Sequence, residues 1–478
     1  MKWSPVCSII GTAKEKGDHF EMKYSRAEVQ RKVHTLPRLR FGDQELTSFS
    51  GLVVIQALWD RLGMRERLRR CFRPFQGGII YGYERIVQVL VLHFVLGYRE
   101  LRDVRYYGED PLVQRVLGLR HVPDVATISR RLAEMDDPMV GRLRDENRNF
   151  VLEGLRELDL PRVTLDLDGS VQLTRRYAEG TAVGYKCRRG ARSYYPLFCT
   201  VAQTSQVLDV LHRQGAVHDS NGAREFMGES GEVVRNELPD AQIEARMDSA
   251  FFDERMVDLL DGMRVEFTIS VPFERLPELK GIIQDRRRWR RCTRETRFFE
   301  MSWKPKSWGA RYRFLCIRKS VRMKRKEPVQ LDLFVPYQEG YEFKVIVTNK
   351  KGRAKSVVAF HEGRGCQEGI FGELRTACCM DYVPTRTRAG NETYLLCGIL
   401  AHNLIRRMQM IVRPADRNTT WGRAPRWVFE KMETFCKKII QRAGRLTRPG
   451  GELTLTLGPD EAVKRELLSY LSALEKAA

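Results

Sequence analysis

Three acidic residues, distant in the sequence, occupy positions that suit metal-dependent chemistry. Asp168 and Asp248 each end a strand-like segment, and Glu368 lies in a helical stretch farther along the chain. Carboxylates at the carboxyl ends of neighbouring strands point into one cleft, where a divalent cation relieves their repulsion. We therefore predict that these acids bind Mg²⁺, with Mn²⁺ as a substitute. Two such ions, about 4 Å apart, can activate a water and stabilise the departing oxygen in phosphodiester cleavage.

Two arginines flank Glu368 at helical spacing. Arg364 precedes it by four residues and Arg375 follows it by seven, which predicts that the three side chains share one face of a helix. A phosphate held by two cations beside a metal-bound carboxylate is the arrangement that strand cleavage needs. A surface ladder of ion pairs has the same spacing, so this pattern alone leaves both interpretations open.

The elements that must position these residues begin at Pro161, where the apolar period changes to two. In segment 163–168 the apolar residues share one face, and Thr164, Asp166 and Asp168 share the other. We predict strands at 163–168, 194–202, 206–212, 243–248 and 265–271, and helices at 221–238 and 253–260. This order is typical of a ribonuclease-H-like α/β fold, so we expect a mixed five-stranded sheet with flanking helices.

Changes in pattern divide the chain into six predicted regions, in which a strand-rich insertion interrupts the core and helical regions lie at both ends. They are a polar basic arm (1–45), a helical DNA-binding domain (46–160), the first part of the core (161–275), the insertion (276–342), the closing part of the core with the Glu368 helix (343–412) and a basic helical C-terminal region (413–478).

A short helix in the second region has features of DNA recognition. Asp124 is a suitable N-cap for a helix at 125–132, and Arg130 and Arg131 on its exposed side suit a helix set against a duplex. An ordinary surface helix with solvated arginines explains the same residues, so both interpretations stay open.

The composition indicates a nucleic-acid partner. The 478 residues include 83 Lys+Arg against 61 Asp+Glu, a formal charge of +22. Since each cation that displaces a counterion from a phosphate backbone strengthens binding, we predict DNA as the partner. The longest apolar stretch, 86–95, is too short for a membrane span and no secretory signal is recognised, which predicts a cytoplasmic protein. The 11 cysteines contain no Cys-x-x-Cys pair, which disfavours a zinc knuckle.

The segment from His361 to Arg375 resembles a known signature. Its His361-x-x-Arg364-x-x-x-Glu368-x-x-x-x-x-x-Arg375 pattern keeps the spacing of the Tyr-Arg-Glu-Lys signature of DDE transposases from bacterial insertion sequences. His361 replaces the tyrosine, and Arg375 replaces the lysine with a planar fork of the same charge. Further segments resemble the insertion-sequence thirteen-eighty family, namely 165–170, 184–185, 193–197, 246–251, 347–349 and 401–404. The resemblance implies that His361, Arg364 and Arg375 contact DNA.

The same resemblance implies a function and a catalytic triad. Asp168, Asp248 and Glu368 would be the catalytic and metal-binding DDE residues of a cut-and-paste transposase. Such an enzyme binds terminal inverted repeats, cuts at the transposon ends and joins the 3′ hydroxyl to target DNA without a covalent enzyme intermediate. Because two ends meet one target, we expect a homodimer on DNA, in the bacterial nucleoid.

Other basic and aromatic residues are candidates for DNA contact. Arg175, Arg176 and Arg188 could form a basic loop at the mouth of the cleft, although a solvated loop is the simpler explanation. Trp289 and Trp303, with Trp308, lie among arginines in the insertion, where an unpaired base could stack on one of them. We expect at least two of these three tryptophans to form the core of the insertion instead.

The sequence is also compatible with two other functions. Segment 165–170 also resembles the first motif of haloacid-dehalogenase-like phosphatases, with Asp166 as nucleophile and Asp168 as general acid. Those enzymes have a further lysine, and between Gly169 and Leu279 the chain offers only Lys186. The altered signature also leaves open a catalytically inactive, DNA-binding relative.

Overall fold

The computed structural model describes residues 39–42, 44–75, 80–174, 176–184, 190–320, 341–415 and 427–476. Most of the predicted N-terminal arm lies outside these ranges, as do Arg175 and Arg188 of the predicted basic loop. Within the described ranges, no helix is long and apolar enough to cross a bilayer.

Helices dominate both ends of the described chain, and strands dominate its middle. The helices are α1 (Leu52–Arg61), α2 (Met64–Phe72), α3 (Tyr83–Val95), α4 (Pro111–Leu117), α5 (Val125–Ala133), α6 (Asp137–Glu157), α7 (Ala223–Glu237), α8 (Glu254–Gly262), α9 (Pro277–Asp285), α10 (Ala354–Glu362), α11 (Cys366–Ala377), α12 (Arg388–Val412), α13 (Met432–Phe435) and α14 (Glu461–Lys476). The strands are β1 (Leu46–Thr47), β2 (Arg162–Gly169), β3 (Gln172–Thr174), β4 (Ala182–Val183), β5 (Arg192–Tyr194), β6 (Leu197–Val201), β7 (Gln206–Leu211), β8 (Gln242–Met247), β9 (Glu266–Ser270), β10 (Arg290–Arg291), β11 (Thr296–Trp303), β12 (Tyr312–Ser320), β13 (Tyr341–Thr348), β14 (Gly444–Thr447) and β15 (Thr454–Leu457).

Within the described ranges, one large mixed sheet contains nine strands in the order β10-β11-β12-β13-β9-β8-β2-β6-β7. β8 runs parallel to both β2 and β9, and the other neighbouring strands are antiparallel. Parallel neighbours need a crossover connection, and helices α7 and α8 lie in the links from β7 to β8 and from β8 to β9. The carboxyl ends of β2 and β8 therefore lie side by side.

The sheet is larger than the five strands expected from the sequence. Strand β13 pairs with β9 through Thr348 and Thr268, and β12, β11 and β10 follow it outward. The strands predicted as an insertion thus continue the main sheet, because their backbone groups find partners on the open side of β9. The predicted hairpin is confirmed as β6 and β7.

Both faces of β2 are covered. Val163, Leu165 and Leu167 are fully buried on one face, as their alternation predicts. Thr164 and Asp166 on the other face are buried as well: the Thr164 hydroxyl donates to Glu244, and the segment from α10 to α11 packs over Asp166. The polar face of this strand is therefore an interior surface that must satisfy its own charges.

Helix α12 joins the helical region to the sheet. Its residues from Ala389 through Gln409 are buried, and it packs against α3, α5, α6 and β7. At the ends of the described chain, β1 pairs with β14 through Leu46 and Arg445, and β15 completes this small sheet. The predicted N-cap of α5 is confirmed, since the Asp124 carboxylate accepts a hydrogen bond from the Thr127 amide at 2.8 Å.

Candidate active site

Two of the predicted catalytic acids lie at the ends of adjacent parallel strands. Leu167 of β2 and Met247 of β8 are register partners, and Asp168 and Asp248 follow them directly. Asp248 also caps the next turn by accepting a hydrogen bond from the Ala250 amide at 2.9 Å. We call Asp168 and Asp248 the acid pair.

A cation opposes the repulsion within the acid pair. Burial raises the pKa of Asp168 to about 6, the charge of Asp248 adds to this rise, and Arg364 opposes it. The Arg364 guanidinium donates a hydrogen bond from Nη1 to Asp168 Oδ2 at 3.1 Å. The Arg364 and Asp168 side chains remain 24% and 23% exposed, so solvent and ligands can reach both.

The residue two positions before Asp168 is enclosed. Asp166 is 1% exposed and forms an ion pair with Arg246 of β8. A nucleophile must reach its substrate, and this carboxylate is sealed between two strands and a covering helix. The phosphatase interpretation therefore loses its nucleophile.

The segment from α10 to α11 crosses the carboxyl end of β2. Arg364, in the 3₁₀ turn between the two helices, contacts Asp168, and Arg375 donates a hydrogen bond to Ser170 Oγ at 2.6 Å. Glu368 lies between these arginines, four residues after the first and seven before the second. Both arginines contact the same strand end, and the spacing predicts that Glu368 shares their side of the segment.

Glu368 itself is exposed in the first turn of α11. In the part of the chain that the structure describes, no group of three or more His, Cys, Asp or Glu side chains is placed to hold a metal ion. The acid pair supplies hard oxygen donors of the kind that Mg²⁺ prefers, with net repulsion that a cation relieves. The predicted three-residue metal site thus stays a prediction, with two of its members adjacent.

His361 has a different environment from the one expected. Its side chain is 1% exposed, with Nε2 2.9 Å from Ser270 Oγ and Nδ1 3.0 Å from Thr268 Oγ1. Burial and the charges of neighbouring cations, including Arg364, lower its pKa to about 3, so the ring is neutral. This placement does not fit direct contact with DNA. His361 instead connects α10 to β9.

The predicted DNA-contacting arginines that do not lie near the acid pair are surface residues. Arg130 is exposed on α5 and donates to Thr127 Oγ1 at 3.3 Å. Arg131 pairs with Glu134 at 2.6 Å, and Arg176 is exposed after β3. Nothing in these contacts separates a DNA-binding role from a solvated surface, so these roles stay predictions.

The three tryptophans pack against other aromatic rings. The partners are Phe299 for Trp289, Phe314 for Trp303 and Phe252 for Trp308, with ring centroids 4.8, 5.0 and 4.9 Å apart. Trp308 is buried, whereas Trp289 and Trp303 are partly exposed. These contacts favour the core interpretation, and base stacking on Trp289 or Trp303 stays a prediction.

Two residues near Asp168 were not selected from the sequence. The ring of Tyr195 lies so close to Gly169 that a Cβ there would be 2.5 Å from the tyrosine hydroxyl. This hydroxyl hydrogen-bonds to Asp219, which is 8% exposed and adds to the rise in the pKa of Asp168. Tyr195 lay in a recognised motif, but Asp219 follows β7 in an irregular turn where no periodic pattern could identify it.

Comparison with known proteins identifies a family. The family model described as transposase DDE domain group 1 matches residues 30–478. No curated protein matches the chain. Among solved structures, the cryo-EM structure of a piggyBac transposase synaptic complex with hairpin DNA is similar at 9% identity, covering 82% of this chain and 79% of that one, with a TM-score of 0.38. At so low a TM-score, this likeness does not define the fold.

Proposed function

The chain belongs to the transposase DDE domain family, group 1, and is a transposase; we propose that it binds the terminal inverted repeats of a bacterial insertion sequence of the thirteen-eighty type, cleaves there and joins the 3′ ends to target DNA. Its formal charge of +22 suits a DNA partner. Two transposon ends must meet one target, so the proposed active form is a homodimer on DNA in the bacterial nucleoid.

The proposed core is ribonuclease-H-like. The strand order β7-β6-β2-β8-β9, with β8 parallel to β2 and β9, supports this assignment. In open α/β sheets, ligands bind beyond the carboxyl ends of the strands. The acid pair lies at such a position, and this placement is the observation that carries the proposed function.

The acid pair would hold Mg²⁺ or Mn²⁺, with Glu368 as the third ligand. A divalent cation supplies the charge that activates a water and stabilises the leaving oxygen in phosphodiester cleavage. Asp168 and Asp248 contribute the negative charge that binds such an ion. Glu368 would reach them from α11 once DNA and metal are bound, because it lies between Arg364 and Arg375, which already contact Asp168 and Ser170.

In this proposal, the two arginines of the segment from α10 to α11 bind the scissile phosphate. Arg364 is partly exposed and held beside Asp168, and Arg375 is exposed beside Ser170. Two guanidinium groups at one strand end can clamp a phosphate and place its phosphorus near the acid pair. Water attacks first and releases a 3′ hydroxyl; the hydroxyl then attacks target phosphate at the same acids, without a covalent enzyme intermediate.

Cleavage of a supercoiled plasmid that carries the element's ends tests this function. We expect Mg²⁺-dependent nicking at the ends by the wild-type protein and none by the E368Q variant. Glu362 is an exposed glutamate six residues earlier in the same segment, so E362Q is a matched control that should cleave normally. Binding of the ends without any cleavage by the wild type would indicate the inactive relative. Normal cleavage by E368Q would remove this glutamate from the site.

A further inference from the structure

A buried ion pair lies directly behind the acid pair. Arg246 donates from Nε and Nη2 to the two carboxylate oxygens of Asp166, both at 2.6 Å. Asp166 is 1% exposed and Arg246 is 6% exposed. Taking two charges out of water costs so much that such a pair stabilises a fold little more than well-packed apolar residues would. A contribution to stability therefore does not explain why charge is placed here.

The guanidinium also reaches the covering segment. Arg246 Nη1 donates a hydrogen bond to the Phe360 carbonyl at 3.0 Å, and the group stacks on the Phe360 ring at 5.3 Å. A Cβ added to Gly363 would lie 2.3 Å from the same nitrogen, so the guanidinium packs directly on the backbone of the turn. Arg246 therefore fixes the end of α10 to strands β2 and β8.

A second contact fixes the segment on its other side. Gln367 is 1% exposed, and its Nε2 donates to the main-chain oxygen of Asp166 at 3.0 Å. Asp166 thus holds residue 360 through Arg246 and residue 367 directly. Arg364, which contacts Asp168, lies between these two anchors, and Glu368 is adjacent to the second.

We propose that Arg246 and Asp166 are positioning residues, which fix the segment 360–367 relative to the acid pair and so place Arg364 and Glu368 for the reaction. This inference rests on the proposed function and adds two residues that touch neither DNA nor metal. The planar fork is essential, because Asp166 takes two donors on one side of the guanidinium while a third points to the Phe360 carbonyl. A lysine ammonium cannot reproduce that geometry.

The double variant D166L/R246M tests the inference, because it replaces both charges with apolar groups and leaves no buried charge unpaired. We expect it to fold, to bind end DNA only a few-fold more weakly than the wild type, since Arg364 is one phosphate contact among many, and to cleave slower by about tenfold or more, as when an outer supporting contact is removed. Hydrogen exchange should speed up in peptides covering 360–367 and stay unchanged in β2 and β8. A merely structural pair would leave the cleavage rate and this exchange unaltered once the fold is intact.

Two further variants sharpen this test. R67M/E146L removes a different ion pair, Arg67 with Glu146, whose side chains are 11% and 14% exposed and 2.5 Å apart between α2 and α6. Arg67 also pairs with Glu153, which is 42% exposed and stays solvated in this variant. Cleavage and the 360–367 exchange should be unchanged. R246K keeps the charge but lacks the fork, so we expect cleavage to slow by a larger factor than end binding weakens. This variant also decides the matter if the double variant fails to fold.

Normal cleavage and normal exchange in a folded D166L/R246M, or full activity in R246K, would overturn the inference. The exchange measurement needs no catalysis. A wild-type protein that does not cleave DNA would therefore refute the proposed function while leaving this measurement able to decide the role of Arg246.

Discussion

Asp166 and Asp168 lie two residues apart on the same face of one strand, yet their surroundings are opposite. The carboxylate of Asp166 is sealed and receives two hydrogen bonds from one guanidinium. That of Asp168 is partly open, accepts hydrogen bonds from Arg364 and from the Gly169 amide, and faces the like charge of Asp248. We call Asp166 the closed position and Asp168 the open position. The protein balances the charge of Asp166, whereas the charge of Asp168 is only partly balanced.

This contrast indicates different roles: Asp166 supports the fold, whereas Asp168 belongs to the proposed chemistry. Burial raises the pKa of Asp166, and the Arg246 contacts oppose that rise, so the fold itself supplies the partner. At Asp168 the fold leaves an unfavourable charge that an added cation can relieve. Substitutions at the two positions should therefore damage different properties.

The largest expected effect is on cleavage by D168N. Replacing this carboxylate with an amide removes a charged metal ligand, so nicking of the plasmid should fall on the order of 10³-fold or more. End binding, measured by gel shift, should persist because the phosphate-contacting arginines remain. Cleavage near the wild-type rate would show that the open position is not where the chemistry occurs.

The second effect is on the stability of D166N. Removing one partner of a buried ion pair leaves Arg246 uncompensated, which costs about 3–5 kcal/mol of unfolding free energy. Urea unfolding of D166N and D168N side by side measures this difference. Equal stability of the two variants would contradict the contrast between the closed and open positions.

A third effect is a pH-dependent stabilisation by D168N. The folded protein keeps a proton on Asp168 up to about pH 6, whereas the unfolded chain releases it near the ordinary value of 3.8, so this carboxyl weakens the fold as pH rises between those values. Without divalent cations, the unfolding free energy of D168N, measured by urea unfolding, should exceed that of the wild type by about 2–3 kcal/mol above pH 6. The difference should vanish below about pH 4. A constant difference across this range would be inconsistent with the raised pKa.

The smallest effect is expected from R364Q. This arginine forms one partly exposed contact, so its loss should change the unfolding free energy by less than about 1 kcal/mol. If it holds one phosphate, the slope of log K against log salt for end binding should become shallower by about 0.9. An unchanged slope would show that Arg364 does not contact the DNA. A stability loss as large as that of D166N would show that Arg364 supports the fold in the way that the Asp166 ion pair does.

Local patterns predicted much of the region around the acids. The alternation of 163–168 correctly separated the apolar face of β2 from its polar face, and the predicted strand ends put Asp168 beside Asp248. The spacing around Glu368 predicted that Arg364 and Arg375 share one helix face; in the structure both contact one strand end, with Arg364 in the 3₁₀ turn before α11. These features depend on period and order along the chain, which a single sequence contains.

Contacts between distant segments could not be predicted. Arg246 was noticed only as part of a motif, because its pairing with Asp166 depends on the register of two strands 80 residues apart. The burial of His361 depends on Thr268 and Ser270, more than 90 residues away. The nine-stranded sheet depends on β13 choosing the open side of β9, which no local period encodes.

Helix α12 is synthesised long after the N-terminal helices that it covers. The helical region up to α6 ends near residue 157, but the helix that fills its centre begins at Arg388. At a synthesis rate of about 5–20 residues per second, the roughly 230 intervening residues delay this helix by some 10–50 s. During that interval, apolar surfaces of the emerging N-terminal helices lack their final cover, so the nascent polypeptide should be a client for ribosome-associated chaperones.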